Sequence, residues 1–242
     1  AVILRRDGGR WVQVSRDYFP AIITYTEFGF NTMAKKLGPN HWTGTEFGVA
    51  GAAVLLLRSR DQCRTWEDKA PKPSGGAGPN FFDGWCIGRD LGGRLWVAAY
   101  YAAIDSGARQ YVHYSDDEGD NWTQAYQVSS TTRFNSILPH PTNRNVVYFV
   151  GATGATGIPR VGFTSNRGAS WSEFSLSTLI PETINQEGTE VCTGIITDNG
   201  RLAAVWRDVS GVNEILSVLY SDTPDDNASY VRVNLTTASG GD

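Results

Sequence analysis

Hydrophobic, β-branched and aromatic residues in this chain gather in short runs of four to eight positions, each bounded by Gly, Asn or Asp. Runs of this length and composition predict strands at 84–87, 94–100, 110–114, 146–150, 160–163, 191–197, 201–206 and 214–220. Asp198-Asn199-Gly200 and Leu91-Gly92-Gly93 predict hairpin turns between them. No long segment keeps an apolar period of 3.6 residues, so few helices are expected. The longest apolar run, residues 49–57, falls far short of the ~20 residues of a membrane-crossing helix. The pattern predicts an all-β chain with no membrane span.

A longer period overlies the strands. Ser115-Asp116-Asp117-Glu118-Gly119-Asp120-Asn121-Trp122 has the form S-x-D-x-G-x-x-W, and Thr164-Ser165-Asn166-Arg167-Gly168-Ala169-Ser170-Trp171 repeats it with Thr and Asn in the polar places. Ser59-Arg60-Asp61-Gln62-Cys63-Arg64-Thr65-Trp66 fits with Cys63 where the others have Gly. Arg6-Asp7-Gly8-Gly9-Arg10-Trp11 reads as a shortened copy, and a lengthened one runs from Ser221 through Thr223 and Asp225 to Tyr230. The aromatic positions 11, 66, 122, 171 and 230 are 55, 56, 49 and 59 residues apart, the spacing of a repeated supersecondary unit.

The octet has a physical rationale as a hairpin loop. Oxygens of Ser59, Asp61, Ser115, Asp117, Thr164, Asn166 and, in the short copy, Asp7 can accept from nearby amides and close the turn. Gly119 and Gly168 supply a backbone conformation closed to other residues. Trp11, Trp66, Trp122 and Trp171 then fold back as apolar plugs; the last three are expected to be largely buried. This is a structural role, not that of metal ligands or acids.

These octets resemble the Asp-box, or BNR, repeat of sialidases, sortilin-type receptor ectodomains and xyloglucan-cleaving glycosidases. The run Pro139-His140-Pro141-Thr142-Asn143-Arg144-Asn145-Val146-Val147-Tyr148 also looks like the P-x-x-P-x-x-V-Y approach to a strand in the latter two. The resemblance implies a β-propeller of four-stranded antiparallel blades, with each box between the third and fourth strands. Only six residues precede Asp7, so the chain is expected to open near the third strand of a blade and to carry four to five blades in one domain over 1–242. That is a five-bladed ring, an open propeller or a portion of a longer protein. Residues 1–4 are expected beside 231–235, or at an open edge covered by another chain.

Composition narrows the partners. The formal net charge is −4, with 19% charged residues, so no basic field points to nucleic acid. The three cysteines, Cys63, Cys86 and Cys192, carry no CxxC spacing, so neither a zinc site nor a disulfide framework is indicated. Cys63 and Cys86 are either a pair or buried thiols, the latter favoured. No cofactor motif is present: Gly75-Gly76-Ala77-Gly78 lacks the Lys-Ser/Thr of a phosphate cradle.

Two acids take matching places before inner strands. Asp83 lies 34 residues before Asp117, and Glu190 lies 33 before Thr223, which makes them a candidate carboxylate pair for glycoside hydrolysis. Glu190, Asp198-Asn199-Gly200-Arg201-Leu202 and Arg207 are also similar to the sialidase pattern of Glu, DGxL turn and Arg. That resemblance implies that Glu190 polarises a Tyr nucleophile and that Arg207 grips a sialate carboxylate, a task suited to a planar guanidinium. Trp42, Trp85 and Tyr100 are candidate sugar-stacking rings, with Trp42 expected in an exposed, turn-rich segment. With two further arginines and a Tyr unassigned, the inventory favours a recognition propeller, extracellular or on a cell or virion surface, that binds carbohydrate or a glycoprotein. The alternatives are a glycoside hydrolase of the sialidase-like kind and a structural propeller in a larger assembly.

Overall fold

The computed structural model describes residues 3–7, 10–15, 35–38, 40–45, 55–61, 65, 67–69, 86–101, 109–129, 132–153, 158–179, 193–210 and 213–237. Among them there is no α-helix, only strands and one 3-10 turn, Asn227–Ser229. Strands β1 (Ile3–Asp7) and β2 (Arg10–Ser15) form a two-stranded sheet. Blade A comprises β3 (Lys35–Leu37), β4 (Asn40–Thr45), β5 (Leu55–Ser59) and β6 (Glu67–Asp68). Blade B comprises β7 (Cys86–Arg89), β8 (Leu95–Tyr101), β9 (Arg109–Ser115) and β10 (Thr123–Gln127). Blade C holds β11 (Thr132–Pro139), β12 (Val147–Thr153), β13 (Pro159–Thr164) and β14 (Ser172–Ser175). Blade D holds β15 (Thr193–Ile196), β16 (Leu202–Ser210), β17 (Asn213–Ser221) and β18 (Val231–Thr237).

Each blade is an antiparallel meander in chain order, and the first strands of consecutive blades touch: β3 with β7, β7 with β11, β11 with β15. First strands are thus innermost and fourth strands outermost. This is a β-propeller of four-stranded blades.

The packing explains why the strands read as nearly continuous apolar runs. Side chains alternate between the two faces of a strand, and here both faces meet another blade. On β12, Val147 and Phe149 enter the core against blade B with Cys86, Trp96, Val112 and Phe134. Tyr148, Val150 and Ala152 enter the core against blade D with Leu202, Trp206 and Leu219. Strands of low apolar content, such as β10 and β14, escape such a reading, because pairing and partial burial suffice to hold them.

The opening of the chain differs from expectation. Asp7 pairs with Arg10, leaving two residues between the strands, whereas eight separate Arg58 from Glu67, Tyr114 from Thr123 and Phe163 from Ser172. The Asp7–Trp11 segment is therefore a tight hairpin, as short as the link between Leu37 and Asn40 that joins the first and second strands of blade A. Among the described residues β1 pairs with β2 and β18 with β17, not with each other. Cys86 is a buried thiol, its Sγ 3.7 Å from the Phe134 carbonyl; Cys63 and Cys192 lie outside the described residues.

Gly162 on β13 fits beneath Phe134, and a Cβ there would stand 2.7 Å from the ring. Gly162→Ala is expected to destabilise by about 1–3 kcal/mol through overpacking, measured by denaturant unfolding, with Phe134→Leu restoring part of the loss. His113 on β9 is buried, and desolvation pushes its imidazole down to about 4, partly opposed by a backbone hydrogen bond at Tyr111. A lowered folded pKa means that the neutral ring's contribution is complete above pH 6.5 and is lost as pH falls through about 4. The loss is roughly 3 kcal/mol from the size of the shift. His113→Gln is expected to flatten the fall in melting temperature between pH 6.5 and 4.

Candidate functional site

The meander gives the ring two chemically different ends. One end carries the first-to-second and third-to-fourth connections, including the octet loops. The opposite end carries the second-to-third connections and the links between blades.

At the octet end, the loops of blades A to C share two bonds: the first residue's hydroxyl donates to the third residue's side chain, which accepts from the seventh residue's amide. The Ser115 hydroxyl donates to Asp117 Oδ1 at 2.8 Å and accepts from the Gly119 amide at 2.7 Å. Asp117 accepts from the Asn121 amide at 2.8 Å and from its side-chain nitrogen at 2.6 Å. In the next blade Thr164 donates to Asn166 Oδ1 at 3.0 Å and accepts from the Gly168 amide at 2.9 Å, while Asn166 accepts from the Ser170 amide at 2.9 Å. In blade A, Ser59 donates to Asp61 at 3.0 Å, and Asp61 accepts from the Thr65 amide and hydroxyl at 2.8 and 2.7 Å. The lengthened loop of blade D keeps only the first contact, the Thr223 amide on the Ser221 hydroxyl at 2.9 Å. The seventh position of the octet, Thr65, Asn121 or Ser170, is an x in the S-x-D-x-G-x-x-W pattern, yet a small polar residue stands there in all three copies.

Trp122 and Trp171 are half-buried rather than fully buried, and Trp66 lies outside the described residues. Each described ring reaches back to the preceding blade, which leaves one edge at the rim. Trp122 Nε1 donates to the Lys69 carbonyl at 2.7 Å. Trp171 stacks on Tyr126 at 5.6 Å and meets Trp96 edge-on at 5.7 Å.

The fourth octet residue is left-handed, Glu118 at φ 59° and Arg167 at φ 58°. That conformation turns its carbonyl toward the preceding blade, where an arginine receives it. Arg94 Nη1 donates to the Arg167 carbonyl at 2.7 Å, and Arg58 donates to the Glu118 carbonyl. Arg94 also forks onto Asp116 at 2.8 and 2.7 Å and lies 3.7 Å above the Tyr114 ring. Arg58, 1% exposed, contacts Asp120 at 2.7 Å and Glu67 at 2.6 Å. These guanidiniums, invisible to a motif search, tie consecutive blades together. Between blades C and D rings replace them, with Phe163, Phe174 and Tyr230 in edge contact.

The carboxylates at this end are committed. The Lys69 ammonium and then Arg58 hold Asp120 far below the usual carboxylate range; Asn121 lowers Asp117, and Arg94 lowers Asp116. A general acid working at neutral pH needs a raised pKa, so these three groups are unsuited to donate a proton. Among the described residues, no group of three or more His, Cys, Asp or Glu could hold a metal ion.

The expected ligand residues belong elsewhere. Asp83, Trp85 and Glu190 lie outside the described residues, in the links that lead into β7 and β15. Tyr100 and Arg207 lie on second strands, and the register makes them equivalent. Each stands two residues beyond the partner of its inner strand's first residue, Ala98 opposite Cys86 and Val205 opposite Thr193. Asp83 and Glu190 each precede that first residue by three. Tyr100 and Arg207 therefore share one register position in blades B and D, toward the end opposite the octets. Trp42 does not join them. It lies on β4, paired with Lys35 and Arg58, at the register of Trp96 and close to the octet end. The turn-rich segment at 38–44 misled because only two residues form the turn before pairing resumes. Near the opposite end, buried Gln110 binds the Phe134 carbonyl at 2.8 Å and its amide at 2.6 Å, bridging blades B and C.

No protein-family model matches the chain. Vacuolar protein sorting/targeting protein 10 of Schizosaccharomyces pombe is 35% identical over 85 residues, which cover 35% of this chain and 5% of that protein. The Penicillium chrysogenum α-L-arabinanase complexed with arabinobiose superposes with a TM-score of 0.58 at 14% identity, over 87% of this chain and 67% of its own. A Hadza microbial sialidase superposes with a TM-score of 0.55 at 15% identity, over 82% of this chain and 43% of its own. At these identities the likeness is one of fold, and the chain spans less than half of the sialidase. No helix among the described residues is long and apolar enough to cross a membrane.

Asp117→Ala is expected to cost about 1–2 kcal/mol, as for a lost helix cap, in thermal unfolding, with ligand binding at saturation unchanged.

Proposed function

We propose that this propeller recognises carbohydrate, free or on a glycoprotein, at the end opposite the octet loops, in an extracellular or surface setting. The observation that carries the reading is the division between the two ends. The octet loops are of one length in blades A to C, and their polar groups are consumed in closing the turn and binding the neighbouring blade. At the other end the connections range from two residues, 211–212, to seventeen, 69–85 and 176–192. Recognition residues concentrate on variable loops held by a rigid scaffold. Asp83, Trp85 and Glu190 belong to the long links, with Tyr100 and Arg207 at equivalent second-strand positions beside them. Aromatic rings suit sugar faces, and an arginine suits an acidic sugar's carboxylate.

A second reading, glycoside hydrolysis, is supported by the fold likeness to an arabinanase and a sialidase, together with the shared register of the Asp83 and Glu190 links. Here Glu190 is the principal carboxylate, Arg207 the anion clamp and Asp83 the alternative partner. Fold alone does not decide between them, since one fold hosts many functions.

The test is reporter release from aryl sialosides, arabinofuranosides and β-glucosides, run beside glycan-array binding, for wild type, Glu190→Gln and Arg207→Ala. Recognition without hydrolysis predicts binding that Arg207→Ala weakens and no turnover. Turnover lowered by at least ~10²-fold in Glu190→Gln, the scale of an acid–base group, would establish the hydrolase reading instead. Neither binding nor turnover on any glycan would overturn both.

A further inference from the structure

Strand pairing aligns the blades residue by residue. Across blade C run the rows Leu138, Tyr148, Phe163 and Ser136, Val150, Val161, Phe174; the matching rows of blade D are Ile195, Ala203, Tyr220 and Thr193, Val205, Val218, Val233. In blade C the apolar members of these rows are covered by blade D, with Val150 1% and Val161 2% exposed. In blade D the same face is open: Ile195 is 63% exposed and Val233 44%. A terminal repeat that faces water normally presents a polar outer surface, and this one is apolar along both rows.

A second observation identifies the occupant. Arg201 stands where Arg94 stands, immediately before the second strand of its blade. It forks onto Asp222 at 2.6 and 2.8 Å as Arg94 does onto Asp116, and it lies over Tyr220 as Arg94 lies over Tyr114. What Arg94 has in addition is the Arg167 carbonyl, offered by the left-handed fourth residue of the next blade's octet. Arg201 is 46% exposed, with its fork assembled on the open face.

We propose that the outer face of blade D is a docking surface for a further four-stranded blade carrying an octet loop, whose fourth-position carbonyl binds Arg201. The partner is defined by an apolar sheet face to cover Ile195, Val218 and Val233, and by a left-handed carbonyl at the height of Tyr220. Docking buries apolar surface and supplies the guanidinium with the acceptor used at both arginine junctions already present. The inference is independent of the ligand proposed above, which concerns one end of the ring and not a blade face.

The test extends the full chain with a second copy of residues 128–179, the segment that carries blade C and its octet, placed after Thr237. Hydroxyl-radical labelling of Ile195, Val233 and Tyr220 is expected to fall several-fold relative to the unextended chain. Arg201→Ala is expected to lower the melting temperature of the extended chain and leave that of the unextended chain unchanged. Unchanged labelling would overturn the proposal, as would an equal effect of Arg201→Ala on both. Ile195→Lys in the unextended chain is a further check: the melting temperature should hold, and a large loss would show that the face is already used within the chain. Concentration-dependent dimerisation of the unextended chain, with these residues protected and Ile195→Lys abolishing it, would make a second copy the occupant and the further blade wrong.

Discussion

A four-stranded sheet with apolar side chains on both faces needs a neighbour on each, and blade C, between B and D, shows both faces covered. Val147 and Phe149 on one face of β12, and Tyr148 and Val150 on the other, leave blade C no solvent side. The ring arrangement follows, because placing blades around an axis covers both faces of each while keeping the connections short. Buried area sets the adhesion between blades but not their angle, since apolar contact is non-directional.

Direction comes from the octet end. The left-handed fourth residue turns one carbonyl out of the loop, and Arg58 or Arg94 of the preceding blade binds it; Arg58 also holds Asp120 of that loop, and Arg94 holds Asp116 of its own blade's loop. A planar guanidinium fixes distance and orientation at once, and the rings beneath it at Tyr114 and Trp96 hold its plane. Between blades C and D the contact is made instead by Phe163, Phe174 and Tyr230 in edge-on packing, so the junction tolerates two chemistries. The partly exposed salt bridges of Arg60 and Lys69 with Asp120 add little by themselves; their effect lies in the network around Arg58, which is buried.

This construction separates scaffold from recognition. Side chains that look chemically equipped, the Asp residues of the octets, are consumed in closing turns or binding cations, and Asp116, Asp117 and Asp120 are lowered below the usual carboxylate range. Connections that look featureless in sequence leave and enter the sheets at the opposite end, where their lengths differ from blade to blade. The second-strand positions Tyr100 and Arg207 are equivalent in register between blades B and D.

Local chemistry was legible in the sequence wherever a feature depends on residues within a few positions. The octet spacing of Ser115, Asp117, Gly119 and Trp122 predicts a self-closing loop, because the side-chain bonds of Ser115 and Asp117 join atoms of the same eight residues. Strands such as β8, β12 and β16 were legible because both faces are apolar. The tertiary structure decided what depends on distant partners. Trp42 sits in a segment that reads as a turn, yet its pairing with Arg58 places it in the row of Trp96. The Asp7–Trp11 segment reads as an octet, yet its two-residue link makes it a hairpin of another kind. Arg58 and Glu118 are 60 residues apart, and Arg94 and Arg167 are 73. No local pattern marks such pairs, since the energy that selects them exists only after the blades have closed on one another.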